Sequence, residues 1–302
     1  MPSGPLDSRF VKSDDDRREL RLGAQRAMPR KTENGCCRLC GFNGKLTFEH
    51  LPPESAFNDV PVRVLQGMEI VAGNHDPRSG RKKQRGSGDY TLCEKCNNDT
   101  GSWYGSAYAH WALCGARALS LATAAPSLAF RYPGVYPLRI LKQILCLFFS
   151  ANGPGFREQH PALEYFVRTK HVTGPLKGVQ LYTYLQRGPV ARQTGLMAVG
   201  NFETGSTQMM SEISFPPFGY VMCFGSPPPE KRQVDIGCFA TAKFEECRDD
   251  VFLHLPILET NTAFPGDYRS EAEIADCVAR NRRYAAEQDV PLADGSRGRR
   301  QP

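Results

Sequence analysis

No stretch of this 302-residue chain stays apolar for the roughly 20 residues that a helix needs to cross a bilayer. The longest apolar run, RILKQILCLFFSA at 139–151, is read instead as a buried helix, and no membrane partner is expected. A large excess of charge is also missing. The formal charge of +6 and pI near 8.7 favour a polyanionic partner but lie far from a histone-like composition. No charged-then-apolar leader opens the sequence, and the eleven cysteines are an odd number in a long chain, which argues against a secreted disulfide framework. A reducing, cytoplasmic setting is the expectation. Internal repeats, a P-loop, a complete dinucleotide fingerprint and a Gly-x-Ser-x-Gly elbow are all lacking, so the usual nucleotide-binding and serine-hydrolase patterns find no foothold.

What is there is organised around residues 36–101. Two Cys-x-x-Cys pairs, Cys37/Cys40 and Cys93/Cys96, have the spacing of a tetrahedral zinc site that clamps two distant segments together. Scattered buried thiols are the competing reading. The other cysteines, at 36, 114, 146, 223, 238, 247 and 277, are read as buried thiols.

Four regions follow from composition. Residues 1–33 mix acidic and basic clusters with few aromatics and read as a disordered tail. Residues 34–122 form a zinc-clamped module, with a strand near 45–49, a helix from Asn97 through residues 102–122, and a mobile basic loop inserted at 73–89. That loop carries Arg78, Arg81, Lys82, Lys83 and Arg85, candidate phosphate contacts or simply a solvated hairpin tip. Residues 123–288 read as an α+β domain of open role. Its strands are expected at 179–186, 196–202, 208–215, 220–224, 236–244 and 251–258 in an antiparallel sheet covered by helices. Ser270 and Glu273 make a capping box for a last helix, ahead of a basic tail at 289–302. The C-terminal domain is a candidate for homo-oligomer formation.

Between the cysteine pairs stands LTFEHLPPES (46–55), and Asn97 follows the last cysteine. His50 is suited to take a proton from water near neutral pH. Glu49 and Asn97 offer hard oxygen ligands for Mg²⁺ or Mn²⁺, with Asn97 placed at a helix N-terminus. A histidine merely packed by the zinc knuckle is the alternative.

CRLC, EHLPPES and LCEKCNNDTG together resemble the zinc-clamped HNH endonucleases of the ββα-metal fold. The resemblance covers about a fifth of the chain. It implies His50 as general base, Glu49 and Asn97 as ligands of the catalytic cation, Cys37, Cys40, Cys93 and Cys96 as the structural zinc site, and DNA, double-stranded in preference, as substrate. Such enzymes carry a bracing Asn before the second cysteine pair; Asp89 is the nearest polar candidate here. The alternative function is a non-catalytic, zinc-dependent nucleic-acid-binding module. A third is an interaction protein whose activity lies in residues 103–302.

Overall fold

Residues 33–65, 77–122, 125–201, 206–259 and 266–287 are described by the structure, a computed structural model. The expectations for residues 1–32, 66–76 and 288–302 lie outside them. Both helices and sheets are present, and the class is α+β.

The N-terminal part is built on a three-stranded sheet in the order β1 (Glu33–Cys36), β2 (Asn43–His50), β5 (Gly88–Cys93). Between Thr47 and Phe48 the β2–β5 register shifts: Thr47 faces Leu92, but Phe48 faces Tyr90, so Thr91 is an extra residue on β5. Its carbonyl accepts the Arg38 amide and its hydroxyl reaches Ser150. A short ribbon, β3 (Val62–Val64) against β4 (Arg81–Lys83), projects from this sheet. The basic segment expected as a mobile loop is therefore partly ordered, because Val62 and Val64 give β4 an antiparallel partner.

Helix α1 (Glu94–Thr100) follows β5 directly and runs through a π-helical turn (Gly101–Gly105) into α2 (Ser106–Leu121). The helix expected from Asn97 thus starts three residues earlier, with Cys93 as its extended N-cap. Trp111 of α2 is fully buried, stacks on Phe218 at 4.6 Å and donates from Nε1 to the Tyr220 hydroxyl. Gly115 lets the helix lie this close to the sheet, since a Cβ there would sit 2.4 Å from the Phe218 ring.

A seven-stranded sheet forms the second half, in the order β6 (Ser127–Tyr132), β12 (Val251–Leu258), β7 (Val179–Gln186), β10 (Phe218–Phe224), β9 (Ser206–Phe215), β8 (Arg192–Asn201), with β11 (Val234–Asp235) also on β7. It is antiparallel except where β12 runs parallel to β7 at Ile257 and Leu258, a correction to the purely antiparallel expectation. The strand expected at 236–244 is instead a 3₁₀ turn, Gly237–Thr241. The Asp235 carboxylate caps it by accepting the Gly237 amide at 2.7 Å, which diverts the chain from the ladder. Strand β6 was not anticipated. Helices α3 (Pro137–Ala151), α4 (Gly155–Gln159) and α5 (Pro161–Arg168) cover one face. Beyond the sheet lies α6 (Glu271–Glu287), opened by the reciprocal Ser270–Glu273 bonds.

Alternation along β7 divides its side chains between two cores. Leu181 and Leu185 join the large core, while Tyr184 joins a smaller cluster behind the sheet with Met210, Val221 and Tyr268. The large core is contiguous from Cys37 and Leu39 through Trp111 to Leu255 and so draws on residues of 34–122 and 123–288 alike. Arg38 donates to the Ser150 carbonyl of α3 and Tyr104 to the Val167 carbonyl of α5, tying the two halves by hydrogen bonds as well. Cys114, Cys146 and Cys223 are buried as expected, Cys36 and Cys277 are half-buried, and Cys238 and Cys247 are exposed in surface turns. No helix among the described residues is long and apolar enough to cross a membrane.

Candidate metal site

The four cysteines of the two Cys-x-x-Cys pairs converge, their sulfur atoms all lying within 4.8 Å of one another. A regular ZnS₄ tetrahedron with bonds of about 2.3 Å places its sulfurs roughly 3.8 Å apart. Cys40 and Cys93 Sγ are 3.7 Å apart, so the cluster has the size and chemistry to hold zinc. A knuckle turn makes this possible: Cys37 N–H donates to Phe42 and Gly41 N–H to Cys37, with Gly41 at φ +77°. A Cβ on Gly41 would also strike the Arg157 guanidinium at 2.8 Å. Without a metal the sulfurs compete for protons. A hydrogen bond from Cys96 brings Cys37 down to about 4, and the same interaction raises Cys96. A divalent ion would replace the protons they compete for.

His50 ends β2, with its Nε2 3.0 Å from the Arg85 carbonyl. A carbonyl only accepts, so Nε2 carries the proton and Nδ1 keeps the lone pair of the neutral ring. Burial lowers the imidazole pKa, the Glu54 carboxylate opposes that, and the net direction is down. The ring packs edge-on to Phe48 at 4.9 Å.

Glu49 turns the other way. Its side chain is 7% exposed, no hydrogen-bond partner meets its carboxyl among the described residues, and burial pushes its pKa up to about 8. The charge it would carry is felt at Cys146 of α3, whose pKa it helps to raise, after burial. Asn97, at the midpoint of α1 rather than its N-terminus, donates from Nδ2 to Thr47 Oγ1 at 3.0 Å and to the Phe48 carbonyl at 3.3 Å. Its Oδ1 is left as an acceptor beside β2. A desolvated carboxyl without a partner and an uncommitted amide oxygen are the hard donors that Mg²⁺ or Mn²⁺ takes. Asp99, further along α1, forms an ion pair with Lys95 instead.

The sequence reading missed Asn58. This fully buried residue donates from Nδ2 to the Pro52 carbonyl at 2.6 Å and the Ser87 carbonyl at 2.7 Å, and its Oδ1 accepts the Ser87 amide at 2.7 Å. It pins the loop leaving His50 to the turn whose Arg85 carbonyl orients the ring. Gly86 in that turn has φ +76°, and a Cβ on it would lie 2.2 Å from the Asn58 carbonyl oxygen. The carboxylate of Asp89, the bracing candidate in the sequence, accepts just the neighbouring Tyr90 amide among the described residues. The signal for Asn58 was weak, since nothing in the spacing from 50 to 93 shows which polar residue folds back.

The predicted phosphate contacts divide. Arg81, Lys82 and Arg85 are exposed, Arg78 lies in the turn Pro77–Ser79, and the Lys83 ammonium donates to the Gly88 carbonyl at 2.7 Å, fastening the ribbon to β5.

No family model, curated protein or solved structure matches this chain.

Proposed function

We propose that the chain is an HNH-type, metal-dependent endonuclease that hydrolyses phosphodiester bonds in DNA. The observation that carries this reading is the imidazole of His50, whose Nε2–H is held by a main-chain carbonyl and whose Nδ1 is left as a base at the end of a strand pair clamped by four cysteines. His50 takes a proton from the attacking water, and its lowered pKa keeps it neutral for that task near pH 7. Arg85 fixes the tautomer through its carbonyl, and Asn58 fixes the turn that presents it. Glu49 and Asn97 would hold Mg²⁺ or Mn²⁺, which when bound supplies charge stabilisation at the phosphorane and the leaving oxygen. Arg81 and Lys82 bind flanking phosphates.

A non-catalytic zinc-dependent nucleic-acid-binding module is the second reading. It draws on one observation, that Glu49 is buried toward α3 while His50 turns to Arg85. Plasmid cleavage with Mn²⁺ or Mg²⁺ separates the two. His50→Ala should cut at least about 100-fold more slowly than wild type, with unchanged zinc content and melting temperature. Wild-type protein that leaves every DNA form intact with either ion would favour the binding module.

A further inference from the structure

We propose that the cleft between the β3–β4 ribbon and the β2–β5 strand pair holds one unpaired nucleotide next to the scissile phosphate, making single-stranded, flapped or gapped DNA the substrate class. This inference rests on the nuclease reading above. The cleft has a volume of about 340 Å³ and is lined by Phe48, Tyr90, Arg81, Lys82 and Arg85 among others. Phe48 and Tyr90 are half-buried and meet edge to face at 5.6 Å, and Phe48 in turn touches the His50 ring. Occupancy of the cleft is thereby coupled in space to the candidate base. Among the described residues no carboxylate pairs with Arg81, Lys82 or Arg85. Of the two acids lining the cleft, Glu33 and Asp89, the latter directs an oxygen to the Tyr90 amide.

Exposed cations alone would suit the phosphate ridge of any duplex. Aromatic walls add something that a paired, stacked base cannot use, because its faces are already covered by its neighbours. An unstacked base offers both its face to Tyr90 or Phe48 and its phosphates to the cationic rim, and such stacking is worth about 10-fold or more in affinity per base.

The test is fluorescence anisotropy with full-length, zinc-loaded protein and no added Mg²⁺ or Mn²⁺, using a labelled single strand, the same strand in a blunt duplex, and that duplex with a one-base flap. Single-stranded and flapped DNA should bind about 10-fold tighter than the blunt duplex. Tyr90→Ala should abolish that preference and Tyr90→Phe should retain it. The double variant Arg81→Ala/Lys82→Ala, at exposed positions that leave the fold alone, should weaken binding of all forms and flatten the salt dependence. Equal affinity for blunt duplex, or no effect of Tyr90→Ala in a normally melting protein, or no effect of the double variant, would overturn the proposal. Preference for unpaired DNA without any cleavage would sink the nuclease reading and keep the cleft. Efficient cleavage with no such preference would do the reverse.

Discussion

At the scale of single residues, the site depends on two side chains whose positions carry opposite costs. Glu49 is desolvated without a charge partner. Its folded pKa, about 8, lies above the usual carboxylate value, so the folded chain holds a proton that the unfolded chain has released. In metal-free protein this contribution is fully present below about pH 4.5 and is lost as pH rises toward 8. Thermal melts should therefore show falling stability across that window, recovery on adding Mn²⁺ at pH 8, and neither effect in Glu49→Gln. Asn58, by contrast, has both ends of its amide satisfied. Asn58→Ala should lower stability by about 1–3 kcal/mol in urea titrations. Under the proposed nuclease function it should also slow DNA cleavage in the fraction that remains folded, because the Arg85 carbonyl loses its fixed place.

At the scale of elements, local patterns were legible and contacts between distant segments were not. The expected strand bounds 179–186 and 251–258 coincide with β7 and β12, since apolar residues between Gly- and Pro-rich turns mark them clearly. The Ser270–Glu273 box and the apolar helix α3 were legible for the same reason. The 3₁₀ turn at Gly237 was hidden because its cue is one carboxylate accepting a main-chain amide, while the residues around it still read as apolar. Strand β6 alternates Leu128, Phe130 and Tyr132 toward the core, but its six residues lie between Pro126 and a turn and are too short a run to stand out in the sequence. Of the candidate site, the four sulfurs follow from spacing and His50, Glu49 and Asn97 from side-chain chemistry and the family resemblance, whereas Asn58 and the inward turn of Glu49 belong to loop closure and strand facing. Helix α3 also holds Lys142, fully buried, its ammonium donating to the Thr169 and Lys170 carbonyls and its pKa lowered to about 8 by burial. Between pH 8 and about 10.5 the unfolded chain binds the proton that the folded chain gives up, so stability from this group rises with pH there. Lys142→Met should erase that slope in denaturation curves taken across the range, at a cost of about 1–3 kcal/mol for the two carbonyls left without a donor.

At the scale of the whole molecule, Cys37, Cys93 and Cys96 of the four-cysteine cluster belong to the contiguous core, so a metal held there would support the entire fold. Leu39 and Leu92 belong to the same buried core as α3, and Arg38 is hydrogen-bonded to that helix. Stripping the metal with a chelator under reducing conditions should lower the calorimetric melting temperature of the full chain while leaving one transition. A second transition that stays at the original temperature would mark an independent C-terminal unit.

Thr91 shows how anchoring and aiming are divided in this molecule. Because the ladder has no place for it, the residue is available to grip Arg38 and Ser150, and the added twist that such an insertion brings falls just before Glu49 and His50. A chain shortened by that single threonine could keep its cysteine spacing and every cross-strand partner yet slacken the hinge-like grip on α3, leaving a metal-loaded scaffold whose working end has lost its bearing.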